Sequence, residues 1–139
     1  MNCVYCGAKT EVINSRHQKR NNQVWRRRKC LKCQAVFTSH EAVDLSKMLV
    51  VGSEPFITDK LFTEVLLALQ DRKNYYVDAR EVTATVIKEL MRSPEKPRLS
   101  AKQISQSTSK VLKRLDKRAW LRYLSEHPSV AKGYRGLGL

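Results

Sequence analysis

The chain has 139 residues, 42% of them hydrophobic, and carries 27 Lys+Arg against 13 Asp+Glu for a formal net charge of +14. That length suits one ordinary domain, or a very small module joined to a larger one, and the smaller could not bury much core by itself. No stretch approaches the roughly 20 apolar residues of a bilayer span, and "MNCVYC" lacks the basic-then-apolar order of a secretory signal, so the sequence predicts a cytoplasmic protein with no membrane partner. The charge is uneven. Residues 1–45 hold 9 basic and 3 acidic residues, residues 46–97 hold 8 of each, and residues 98–139 hold 10 and 2. Two basic ends flanking a neutral middle predict a polyanionic partner, and nucleic acid is the commonest one.

In chain order, "TEVINSR" and "QVWRRRKC" read as two strands joined by the turn-forming "HQKRNNQ", and "AVFTS" reads as a third. Cys3, Cys6, Cys30 and Cys33 are the only cysteines and bracket this ribbon. From "MLVVGSEPF" onward a short β-rich piece with a Gly-Ser turn leads into helical periodicity. Thr58 is expected to cap a first helix with Phe62, Val65, Leu66 and Leu69 on one side. Asp78 and Glu81 have the spacing of a capping box before a second helix whose buried face is Val82, Val86, Ile87 and Leu90. "RSPEKPR" interrupts the chain. Ser100 with Gln103 then caps a longer third helix lined by Ile104, Thr108, Val111, Leu112, Leu115 and Ala119. Its basic residues, Lys110, Lys113, Arg114, Lys117 and Arg118, suit either a nonspecific DNA contact or a solvated face. The fold class expected is α+β, with a zinc-stapled ribbon over 1–45, a mainly helical domain over 46–128 and a loose tail over 129–139.

Two Cys-x-x-Cys pairs separated by a hairpin-sized span suit one tetrahedral zinc ion, and four sulfurs leave no position open for a substrate. The site is therefore expected to be structural, with metal-binding free energy serving as folding free energy. A pair of disulfides or free buried thiols is the competing reading, which the lack of a secretory signal disfavours. Arg26, Arg27, Arg28 and Lys29 lead directly into the second pair, so the metal fixes the strand that carries them. Alternation sends Val24, Arg26 and Arg28 one way and Trp25, Arg27 and Lys29 the other. Guanidinium forks suit phosphate oxygens and guanine edges, and Arg16 and Arg20 add charge across the hairpin. Trp25 suits stacking on a base or sugar as well as it suits covering the ribbon.

These residues resemble the bacterial ribonucleotide-reductase transcriptional repressors (NrdR), which join a zinc ribbon to an ATP-cone. The resemblance is carried in order by "MNCVYCGAKTEVINSR", "VWRRRKCLKCQAVFTSHE", "EPFITDKL" and "KVLKRLDKRAWLRYL". It implies zinc ligation by Cys3, Cys6, Cys30 and Cys33, and contacts to a double-stranded DNA operator by Arg16, Arg26, Arg27 and Arg28. It also implies homo-oligomers whose size is set by ATP or dATP, repression of ribonucleotide reductase genes, and a nucleoid-associated location. Position 25 is usually another Arg in that family and is Trp here.

In the second module the resemblance implies nucleotide contacts at Val51, Glu54 and Lys60. The hairpin "VVGSEPF" departs from the family, with Gly52 at a Lys position, several turn residues missing, and Ile57 where a polar residue is usual. Losing a lysine that meets phosphate removes roughly 1.5 to 3 kcal/mol, about tenfold or more in affinity. The sequence thus predicts a cone that folds and assembles but binds nucleotide weakly, through other residues, or not at all. A competing reading is an RNA- or ribosome-associated basic zinc ribbon. An enzyme is not expected, because the acidic residues form no evident metal cluster, a Gly-x-x-x-x-Gly-Lys loop is missing and the three histidines lack a nucleophile partner.

Overall fold

The computed structural model describes residues 1–19, 22–47, 49–94 and 97–134. It divides into two compact units, Met1–Val43 and Asp44–Leu139.

The first unit is a three-stranded antiparallel sheet in the order β1 (Thr10–Gln18), β2 (Gln23–Cys30) and β3 (Val36–Glu41). Asn22 takes the left-handed backbone (φ 48°) that closes the β1–β2 turn, a conformation Asn tolerates better than most residues. A bulge at Ile13 shifts the register, so Val12 opposes Arg28 while Asn14 opposes Arg27. The only buried hydrophobic residues this unit contributes, among the described residues, are Cys3 and Cys30. An apolar core does not hold the ribbon, so something else must.

The second unit has a core of its own. A small sheet ordered β5-β4-β6 joins β4 (Val50–Val51), β5 (Glu54–Pro55) and β6 (Arg98–Leu99), with β6 parallel to β4. Gly52, at φ 64°, is the first central residue of the two-residue β4–β5 turn, where a type II′ hairpin needs positive φ. Among the described residues five α-helices follow this hairpin: α1 (Thr58–Ala68), α2 (Tyr75–Met91), α3 (Ala101–Leu115), α4 (Lys117–Glu126) and the single turn α5 (Pro128–Ala131). Leu49, Phe56, Leu61, Val65, Val86, Leu112, Trp120 and Tyr123 are among the residues of one continuous core.

Several local expectations change. The N-cap of α1 is Ile57, and its side chain accepts no hydrogen bond; Thr58 is the first helical residue rather than the cap. Helix α2 begins at Tyr75, placing Asp78 inside its first turn, where it accepts from Arg72 Nε at 2.6 Å instead of capping. The Ser100–Gln103 capping box is present. The long third helix is two helices, because Asp116 is extended (φ −156°) and its Oδ1 accepts from the backbone N–H of Arg118 and Ala119. Arg72 ties this joint to the α1–α2 connection, donating to Asp78 and, at 2.9 Å, to Asp116. Part of the expected loose tail is packed: Val130 is in the core and Tyr134 meets the Trp120 ring edge-on. Residues 135–139 lie outside the described residues.

Candidate metal centre and nucleic-acid interface

The two cysteine pairs form knuckles of the same construction. In the first, Cys3 N–H donates to Ala8 O at 2.8 Å; in the second, Cys30 N–H donates to Ala35 O at 2.9 Å. Leu31 N–H reaches across to Lys9 O at 3.1 Å and fastens one knuckle to the other. The result brings all four Sγ atoms within 4.8 Å of one another. The Cys3–Cys33 and Cys6–Cys30 sulfurs are 3.6 and 3.5 Å apart, too far for a disulfide of about 2.05 Å. Zinc at about 2.3 Å from each of four sulfurs would set neighbours about 3.8 Å apart. The donor set fits that ion.

Backbone donors also favour thiolates. Cys30 Sγ accepts from the N–H of Cys33 and Lys32 at 3.4 and 3.3 Å, and Cys3 Sγ accepts from Tyr5 N–H. The Cys33 N–H bond, aided by Lys32 and the Cys6 and Cys33 thiols, draws the Cys30 thiol down to about 6 against desolvation. Cys33 is drawn down by the Ala35 N–H, yet desolvation and the other sulfurs outweigh that and push it up to about 12. Four neighbouring sulfurs resist joint ionisation without a counter-charge, and a dication supplies it.

The knuckles hold β2 in the centre of the sheet. Directly opposed residues share a face of an antiparallel sheet, and on this rule the four arginines separate. Ser15, Arg26 and Ser39 form one cross-strand row, and Val12, Arg28 and Phe37 the next. On the opposite face lie the rows Arg16–Trp25–His40 and Asn14–Arg27–Thr38. The first face is internally bonded: Arg26 donates through Nε and Nη2 to Glu41 Oε2 and through Nη1 to Ser15, while Arg28 Nε donates to Ser39 Oγ at 2.8 Å. On the second face Arg16 and Arg27 are exposed, and no hydrogen bond or ion pair engages either guanidinium among the described residues. Trp25 lies against His40 with ring centroids 4.8 Å apart and planes 11° from parallel. Arg20 lies outside the described residues.

Sequence reasoning missed the partners Ser15, Ser39 and Glu41 and the ring partner His40. All follow from strand register, which becomes readable once the Cys30–Cys33 knuckle is taken as the β2–β3 connection.

In the second unit Val51 and Glu54 are paired across the β4–β5 hairpin. Glu54 is exposed, as is Lys60 in the first turn of α1. On α3 and α4, Lys113 lies over the Trp120 and Tyr134 rings and Arg114 pairs with Glu89. Part of that basic stripe is thus engaged within the unit.

A four-cysteine β ribbon with an arginine-bearing central strand, followed by a second, mainly helical unit, defines a zinc-ribbon protein. Residues 1–41 match the family described as "Transcriptional repressor NrdR-like, N-terminal domain". Over 130 residues the chain is 35% identical to the "Transcriptional repressor NrdR" of Psychrobacter arcticus, covering 90% of this chain and 85% of that protein. The chain belongs to the NrdR family of transcriptional repressors.

Proposed function

We propose that this protein is a zinc-dependent, DNA-binding repressor of ribonucleotide reductase genes, acting in the cytoplasm at the nucleoid and without enzymatic activity. The observation that carries this reading is the junction of metal site and basic strand: Arg26, Arg27, Arg28 and Lys29 run directly into Cys30, in a chain of the NrdR family. Cys3, Cys6, Cys30 and Cys33 hold one structural zinc ion, and Arg16, Arg26, Arg27 and Arg28 supply the positive field that draws the ribbon to duplex DNA. One ribbon making about four phosphate contacts binds weakly, with a salt slope of about −3 to −4. Two ribbons about one helical turn apart give useful specificity, so the protein works as a homo-oligomer assembled through its second unit.

ATP or dATP control through Val51, Glu54 and Lys60 is weak. Glu54 and Lys60 are exposed, and the short turn carries Gly52 and Ser53, neither of which offers a cation to phosphate. An effector must bind two assemblies with different affinities to shift them. Calorimetry with ATP and dATP tests this part; micromolar or tighter affinity that Lys60→Ala abolishes would contradict it. Salt-dependent anisotropy of the zinc-loaded protein on duplex and on structured RNA tests the rest, and tighter binding to the RNA would move the role to a ribosome- or RNA-associated one.

A further inference from the structure

We propose that the sheet face bearing Arg16, Trp25, Arg27, Thr38 and His40 is the one that enters a DNA groove, and that the Trp25–His40 stack sets base preference there. This rests on the DNA-binding reading above and adds to it the face and the specificity element.

The two faces differ in what they have left to offer. On the Arg26 face, one carboxylate and two serines already occupy guanidinium N–H groups. The Glu41 carboxylate there would also meet phosphate with like charge. The opposite face presents two exposed guanidinium groups beside Asn14 and Thr38, whose amide and hydroxyl both donate and accept. Its acid, Glu11, stands opposite Lys29, away from the Arg16–Trp25–His40 row.

The stack gives the face its sequence sense. Guanidinium groups here can meet phosphate on any sequence, whereas a flat indole lying on an imidazole across two strands is a rigid, largely apolar wall. In the major groove the base-edge group that an apolar wall recognises is the thymine C5-methyl. Arg16 borders the wall in the same row and Arg27 in the adjacent row, so docking by charge brings the wall to a base edge.

The test is selection from a randomised duplex library by the zinc-loaded full chain, comparing wild type with Trp25→Phe, Trp25→Arg, His40→Ala and Arg26→Gln. Each variant is first checked for one zinc ion per chain and an unchanged far-UV spectrum. Wild type and Trp25→Phe should enrich one motif containing thymine at the contacted step. Trp25→Arg should exchange that preference for guanine, His40→Ala should relax it about tenfold, and Arg26→Gln, which removes one charge of the field, should lower affinity for every duplex while leaving the enriched motif the same. A motif in wild type that survives unchanged in Trp25→Arg and His40→Ala overturns the role of the stack while leaving DNA binding standing. No enrichment and no duplex binding by wild type overturns both.

Discussion

Gly7 and Gln34 hold matching places in the two knuckles, each one residue beyond the second cysteine of its pair, and both have left-handed backbone, with φ of 74° and 61°. The position demands that conformation because the chain must turn back for the Cys3–Ala8 and Cys30–Ala35 hydrogen bonds. A Cβ at Gly7 would meet nothing within 4 Å, so its cost is confined to the backbone. Gly7→Ala should therefore destabilise the zinc-loaded ribbon by about 1 kcal/mol. Gln34→Gly relieves the same strain but gives up the Gln34 Nε2 bond to Leu31 O and adds unfolded-state entropy, leaving stability within about 0.5 kcal/mol of wild type. Denaturant unfolding of the two variants separates these outcomes, and equal losses would contradict the account of the turn.

Metal removal should act on one unit. Among the described residues the ribbon buries two cysteines and no other hydrophobic residue, whereas the second unit has a continuous apolar core. Chelation, or Cys30→Ser, should collapse the amide NMR dispersion of residues 1–43 and leave the resonances from Asp44 onward in place. Loss of dispersion throughout the chain would show that the second unit does not stand alone.

Asp116 gives a pH prediction. The backbone N–H of Ala119, then the Arg72 guanidinium, hold its carboxyl below the usual 3.8. A depressed carboxylate contributes stability that is present above its unfolded pKa and lost as pH falls toward its folded value. Asp116→Asn keeps a capping oxygen but loses the charge, so it should cost about 1 kcal/mol at pH 7 and flatten the loss of stability below about pH 4. Parallel acid limbs for wild type and variant would show that Asp116 does not drive that loss.

Trp120 Nε1 donates to Ser109 Oγ at 3.0 Å, with both groups buried in the core. Ser109→Ala leaves the indole N–H without an acceptor away from water and should lower stability by about 1 to 3 kcal/mol. Thermal melts read this directly; an unchanged midpoint would mean that the indole finds another acceptor.

Much of the ribbon was legible because its signals are local. Two Cys-x-x-Cys pairs, strand alternation through "QVWRRRKC" and a turn-rich link between strands give the sheet, the sulfur cluster and the separation of Arg26 and Arg28 from Arg27. The tie between Arg26 and Glu41 was not, because it depends on the β2–β3 register. In the helical unit the apolar spacing identified Val65, Leu69, Val86 and Leu112 as core residues. It could not show the break at Asp116, since the buried residues Leu112, Ala119 and Trp120 continue past it without a Gly or Pro to mark the joint. The strand Arg98–Leu99 is too short to show any alternation, and its parallel pairing with β4 brings together residues separated by two helices.

The most direct test is fluorescence anisotropy of the zinc-loaded protein on a duplex from its own host's ribonucleotide reductase promoter beside a scrambled duplex of the same length. The expected result is a salt-dependent preference for the promoter that is lost when the metal is removed. Equal affinity for the two duplexes, with the metal bound, would contradict it.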